Sequence, residues 1–321
     1  MGHLHSPPPL IFSFLVIAVG VSYAAVSPGE EYWHTVLPNS PIPIGVHDLI
    51  HHNAEGEMIL IDGGIVYKSH INHLFYDTYE DPRDVTTSGG NLMLKSYIFL
   101  TELLQPGRNF NLWFSEQMHQ KYPVLLPREV ADSLPFSTAE LPKILALFAV
   151  DPSSDAAYEI KRTLHHCEMP PIKGEVKHCA TSLESMIDFV TSTLGTHDVS
   201  AATTTTPSSK EGATVGQYTI TAVQEIDGPN HVSCHLGTYA HALFQCHKLN
   251  GTKAYKVAVV EKEGTKSEMV AICHADTAAW SPTHIFFQVT KVKPGTVPIC
   301  HFIPKEHILW SPNKQSYMSS S

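Results

Sequence analysis

Four Cys-His dipeptides stand in the last third of the chain: Cys234-His235, Cys246-His247, Cys273-His274 and Cys300-His301, with 10, 25 and 25 residues between them. Thiols can crosslink or bind metal, and imidazoles can bind metal or carry protons. Neighbouring side chains on a strand point to opposite faces, so the Cys and His of one dipeptide are poorly placed to serve one centre. The array therefore reads as two sets, four sulfurs on one side and four imidazoles on the other. Zinc fingers need C-x2-4-C and H-x3-5-H spacings that curl around one ion, and the array has neither.

The fate of the sulfurs depends on the compartment. Leu10 to Val21 is an apolar run of signal-peptide length, followed by Ser22-Tyr23-Ala24-Ala25 with small residues suited to cleavage after Ala24 or Ala25. Its flank carries His where Lys or Arg is usual. No second segment of spanning length follows, so the expectation is a signal peptide over residues 1–25 and a secreted mature chain without a membrane span. In an oxidising pathway six cysteines favour disulfides over thiolate sites. Cys167 and Cys179 are expected to pair across a short loop. Cys234, Cys246, Cys273 and Cys300 then allow three pairings that the sequence does not rank.

The elements that must hold these residues come next. An apolar fraction of 43% supports a packed core, and a formal charge of −10 without a basic stripe argues against nucleic acid and anionic membranes as partners. Residues 26–96 read as an extended segment plus linker, because Pro38, Pro41 and Pro43 oppose a helix and Gly-rich breakers follow. The compact part begins near Tyr97. Tyr97–Leu100 and Phe110–Phe114 read as strands flanking a Pro106-Gly107 turn. Ser137 with Glu140 and Thr181-Ser182-Leu183-Glu184 are capping boxes that mark helix starts, the first slipping toward Leu141 because of Pro142, and Ser154 to His166 is a third helix. Gly195 is a stop signal. Ala201 to Thr214 is a Thr/Ser-rich surface insertion. Beyond it, strands are expected over Tyr218–Ile226, Ala254–Lys262, Ser267–His274, His284–Val292 and Val297–Ile303. Asn250-Gly251-Thr252 is an N-glycosylation sequon in a turn. The fold class is α+β, a single domain with a helical first half and a β-rich, disulfide-linked second half.

The array resembles the signature of the plant BURP-domain family, CH-x10-CH-x25-27-CH-x23-26-CH. Phe99-Leu100 with Leu103-Leu104-Gln105-Pro106-Gly107, Pro135-Phe136-Ser137, the stretch from Lys173-Gly174-Glu175 through Cys179 to Glu184, and Glu31-Tyr32-Trp33 with Leu37-Pro38-Asn39 are similar to other blocks of that family. The chain looks closest to the dehydration-responsive and raftin-like branches. The resemblance implies a BURP domain over residues 97–310, a tail over 311–321, and a secreted or cell-wall location with a role in development or stress response. Cell-wall polysaccharide, wall proteins or a substrate peptide are the partners it suggests.

Some members of the family are copper-dependent peptide cyclases that crosslink Tyr or Trp side chains, which makes a copper-dependent oxidative peptide cyclase the alternative reading. Carried over by residue, His235, His247, His274 and His301 would be the copper-associated imidazoles, forming one four-His site or two nearby sites. Imidazole suits Cu(II), and an oxygen-dependent radical reaction needs a redox metal. No catalytic residue follows from the sequence itself. Gln120-Lys121-Tyr122 is the one segment like a core peptide, but its Tyr comes too early and it reads as an ordinary loop. His51-His52 and His165-His166 read as surface or helix-end residues, and His178-Cys179 reverses the motif's order.

Overall fold

The computed structural model describes residues 26–51, 57–61, 64–68, 97–115, 123, 125–205, 213–228 and 230–313. The signal-peptide expectation and the Gln120-Lys121-Tyr122 segment lie outside the described residues. Eleven strands form two antiparallel sheets, and an isolated hairpin pairs β1 (Glu57–Ile61) with β2 (Gly64–Lys68). The six-stranded sheet runs β3 (Ile98–Leu100), β12 (Ile299–Phe302), β11 (Lys266–His274), β10 (Thr252–Glu261), β7 (Ala213–Ile226) and β4 (Asn109–Ser115). The five-stranded sheet runs β5 (Glu175–Ala180), β9 (Phe244–Leu249), β8 (Val232–Leu236), β13 (Ile308–Pro312) and β6 (Val199–Ala202). β6 takes in the first two residues of the Thr/Ser-rich stretch, Thr203 and Thr204 after it are buried, and β8 follows the stretch, yet both strands flank β13, so the stretch does not divide two domains.

Helices begin where local chemistry satisfies their first amides. Ser154 caps α5 (Asp155–Glu168) by accepting from the Ala157 amide, and Ser182 with Ser185 forms a capping box on α6 (Leu183–Leu194). Gly195 ends α6 at φ 70°, a left-handed conformation that glycine reaches without a Cβ clash. Two shorter helices, α3 (Arg128–Ser133) and α4 (Leu141–Leu147), pack with α5 around Ile144, Ile160, Leu164 and Leu243. Ser137 caps a single 3₁₀ turn, and α4 starts one step later with Pro142 in its first turn.

Three expectations need correction. Residues 28–36 and 44–51 are not extended: they form α1 (Pro28–Val36) and α2 (Ile44–His51). Pro28 sits at the start of α1, where its missing N–H costs nothing, and Ser27 caps the Glu30 amide. The later prolines only bound the two helices. Residues 285–290 form helix α7 (Ile285–Thr290) where a strand was expected over His284–Val292. Ile285, Phe286 and Phe287 are buried consecutively rather than alternately, and the His284 ring caps the Phe286 amide. Finally, Tyr97–Leu100 and Phe110–Phe114 do not pair across the Pro-Gly turn. β3 and β4 are the opposite edges of the six-stranded sheet, which curls until Phe99 and Phe110 meet with ring centroids 5.0 Å apart.

The layers follow from side-chain alternation. Phe99, Leu112, Val257, Val259, Met269, Ala271 and Phe302 fill the inside of the curled sheet. Its outer face, through Ala254, Val270 and Ile272, packs on Leu309 of β13. The opposite face of the five-stranded sheet, including Val232, Phe244 and Trp310, is covered by α1, α2 and α6. Trp33 of α1 is fully buried there, with its ring centroid 5.0 Å from that of Trp310 and its indole N–H donating to the Ser40 carbonyl at 2.7 Å.

All six cysteines pair: Cys167–Cys179, Cys234–Cys246 and Cys273–Cys300. Cys234 lies directly opposite Cys246 in the β8–β9 register, and Cys273 directly opposite Cys300 in β11–β12.

If α1 is an integral layer, Trp33→Ala should lower the unfolding free energy by about 3–5 kcal/mol, the range for a buried aromatic truncated to Ala. Urea unfolding of the full chain measures this. A loss below ~1 kcal/mol would show that the N-terminal helices only rest on the domain.

Candidate functional site: a buried histidine cluster between the sheets

The two disulfides in the sheets decide where the imidazoles go. With Cys234 and Cys246 opposed, His235 and His247 sit diagonally on the other face of β8–β9, opposite Gln245 and Ser233. With Cys273 and Cys300 opposed, His274 and His301 sit diagonally on the outer face of β11–β12. Those faces are the two that pack together. His235 and His301 have centroids 5.9 Å apart, His247 and His274 6.3 Å, and His274 stacks on His301 at 5.6 Å. The sulfurs end in two different cores, one under α6 and one inside the curled sheet.

Each of the four rings is held through Nδ1. His247 Nδ1 lies 3.2 Å from Glu175 Oε1, His274 Nδ1 3.2 Å from Thr252 Oγ1, His301 Nδ1 3.2 Å from the Phe302 carbonyl, and His235 Nδ1 3.0 Å from His307 Nδ1. Fixing one ring nitrogen sets the tautomer and aims the other. His235 Nε2 and His247 Nε2 are 3.2 Å apart, and His274 Nε2 is buried without a hydrogen-bond partner among the described residues. Starting from the Glu175 carboxylate, the protons order themselves: His247 donates from Nδ1 and accepts at Nε2 from His235, whose Nδ1 accepts from His307.

Burial keeps His235, His274 and His301 neutral. Desolvation pushes His235 and His274 well below the ordinary imidazole value, helped by the neighbouring rings. The same cause takes His301 to about 4, His307 to about 3 and His284 to about 3. Burial alone would raise Glu175, but His247, the Ile172 amide and Lys177 outweigh it and hold the carboxyl below its usual value.

Several of these participants were not legible in the sequence. His307 and His284 belong to no dipeptide. Glu175 lies in the Lys173–Cys179 block but nothing there tied it to His247, and Thr252, the hydroxyl residue of the sequon, turns its Oγ1 to His274. Asn250 itself is exposed in the β9–β10 turn. His165 is exposed at the end of α5 as expected, whereas His166 is burial-shifted to about 4 and faces the cluster's edge. His178 stacks on Phe189 outside the cluster. A small pocket, open to solvent at its mouth, reaches His235 and His247 from the side of Glu175, Lys177 and the Cys167–Cys179 disulfide.

Rings with depressed folded values bind protons more readily in the unfolded chain, so stability is complete above the unfolded value of ~6.5 and declines as pH falls toward the folded values. His301, His307, His284 and His166 place that window between pH ~6.5 and about 3–4. Each ring removes roughly 1.4 kcal/mol per pH unit within its window. Urea midpoints of the metal-free protein should fall steeply from pH 6.5 to pH 4.5; a flat profile there would show that the rings are charged in the folded state.

A BURP-domain family model matches residues 97–312. Among similar proteins, Protein RAFTIN 1B of Triticum aestivum is 32% identical over 338 residues, covering 91% of this chain and 92% of that one. BURP domain-containing protein 3 of Oryza sativa subsp. japonica is 48% identical over 218 residues, 66% of this chain and 50% of its own length. BURP domain protein RD22 of Arabidopsis thaliana is 40% identical over 215 residues, 66% of this chain and 54% of its own. The chain thus spans about half the length of the latter two relatives and nearly all of the first. With the profile spanning both sheets and all four dipeptides, the chain belongs to the BURP-domain family, alongside RD22 and raftin-type members.

Proposed function

We propose that this is an exported protein of the plant cell wall or apoplast whose histidine cluster binds copper, with a role in development or stress response. The observation that carries the metal reading is the common use of Nδ1. In all four motif rings a carboxylate, hydroxyl, carbonyl or second imidazole engages Nδ1, so a metal would be met by Nε2. The donor set fits: neutral imidazoles suit Cu(II), and every cysteine sulfur is locked in a disulfide. As the side chains stand, no three described His, Cys, Asp or Glu residues are disposed around a common point. Binding would therefore require the rings to turn about their χ2 angles, and the His274 and His301 pair would turn furthest from its stacked arrangement.

Export is supported by the pairing of all six cysteines. Among the described residues no helix is long and apolar enough to cross a membrane. Wall polysaccharide or wall proteins are the partners that this location suggests.

The cavity at His235 and His247 favours a second reading, a copper-dependent oxidative enzyme acting on a peptide supplied in trans or on the same chain. Copper, when bound, would supply the one-electron chemistry that zinc lacks. Around it, Glu175 would hold the His247 tautomer, His307 would turn from donor to acceptor so that His235 Nε2 is free of its proton, and the two packed sheets would exclude bulk water.

Two measurements test these readings. Isothermal titration of Cu(II) into wild type and into His235→Ala, His247→Ala, His274→Ala and His301→Ala should show at least about tenfold weaker binding in each variant, the scale for removing a ligand or its fixing partner. Unchanged stoichiometry and affinity in all four would leave these rings a structural role. Incubation with Cu(II), dioxygen and Tyr- or Trp-containing peptides then separates a binding protein from an enzyme: a two-hydrogen mass loss in any peptide favours the enzyme.

A further inference from the structure

Gln245 is the one buried residue lining the cavity whose side-chain polar atoms all lack a hydrogen-bond partner among the described residues. It lies opposite His235 in the β8–β9 register, on the face that carries His235 and His247, and lines the same cavity. It is only 6% exposed, yet neither its Nε2 nor its Oε1 has a hydrogen-bond partner among the described residues. A buried carboxamide with both donor and acceptor unmet is costly, and its retention calls for a ligand that supplies both.

The surroundings define that ligand. The Glu175 carboxylate already receives the His247 ring and the Ile172 amide, and the Lys177 ammonium already donates to the His166 carbonyl. Burial also pushes the Lys177 ammonium below the ordinary lysine value. An anionic or cationic ligand would find its countercharge engaged, whereas a neutral group would meet an empty donor and an empty acceptor in one plane. The pocket is small and open to solvent at its mouth, so it admits the amide group of a ligand and leaves the rest of that ligand outside.

We propose that this cavity is a binding site for a neutral amide, anchored by a paired donor–acceptor contact with the Gln245 carboxamide. The amide edge is the shared chemistry of a peptide backbone and of a carboxamide side chain. The site does not depend on the metal reading, because the cavity and Gln245 are formed by the protein alone. Gly237 lies beside Gln245: a Cβ there would be 3.2 Å from Leu243 Cδ2 and 3.3 Å from Gln245 Nε2, so Gly237→Ala would press on the amide without removing it.

The test uses metal-free, ¹⁵N-labelled full chain, with the Gln245 side-chain NH₂ signal assigned by its absence in Gln245→Met. N-acetylglycine N-methylamide probes the backbone source, propionamide the side-chain source, and sodium acetate and methyl glucoside are controls. At least one amide should shift that signal saturably. Binding should weaken about tenfold in Gln245→Met, the effect of two neutral hydrogen bonds. The Met variant should melt at or above the wild-type temperature, because it removes an unmet polar group. Gly237→Ala should weaken binding several-fold and serves if the Met variant fails to fold. Response to the diamide alone identifies a peptide backbone, and response to both identifies any carboxamide. No saturable shift with either amide, binding unchanged in the variants, or equal binding of acetate or glucoside would overturn the proposal. Copper titration is read separately, so the loss of either result leaves the other standing.

Discussion

Direct opposition of cysteines across two antiparallel strand pairs is the constraint on which this site depends. A disulfide between opposed residues fixes register, and a slip of one residue would send every side chain to the other face. Cys234 opposite Cys246 therefore commits His235 and His247 to one face, and Cys273 opposite Cys300 does the same for His274 and His301. Each bond lies within one sheet. The four imidazoles meet only because the two sheets pack, so the cluster is a product of tertiary structure and the disulfides are its jigs.

Packing also sets the chemistry. Leu309 against Ala254, Val270 and Ile272 seals one part of the interface, while Trp280 and Phe286 crowd His274 and His301 on another. This apolar surround is why the rings stay neutral well below the ordinary imidazole range. It also raises the cost of any unpaired nitrogen, which accounts for the partners gathered at Nδ1. α1 contributes from the far side: Trp33 on Trp310 buttresses β13, the strand beside β8. The N-terminal helices thus support the layer that carries half of the cluster, although they lie outside the 97–312 match.

Much of this was legible in the sequence, for identifiable reasons. Cys-His adjacency combined with strand alternation separates sulfur from imidazole without any knowledge of the fold. Ser154, the Thr181–Glu184 box and Gly195 announce helix ends through short-range hydrogen bonding and backbone preference, although the cap itself is Ser182 with Ser185, one residue further on. What was not legible is nonlocal or ambiguous in period. Pro28 can open a helix as readily as proline can forbid one, and only the burial of Trp33 decides. The Ile285-Phe286-Phe287 run is too short for its period to distinguish helix from strand. Glu175, Thr252 and His307 join the cluster through strand pairing and sheet packing across 72, 22 and 72 positions, and no local pattern encodes such reach.

The central claim is that the folded chain presents a nitrogen-only donor set, with sulfur held on the opposite faces. X-ray absorption at the copper edge of the Cu(II)-loaded full chain tests it most directly. The account predicts a first shell of nitrogen or oxygen at ~2.0 Å with the outer-shell scattering of imidazole rings, and no sulfur at ~2.3 Å. A sulfur shell, or a first shell without imidazole scattering, would contradict it.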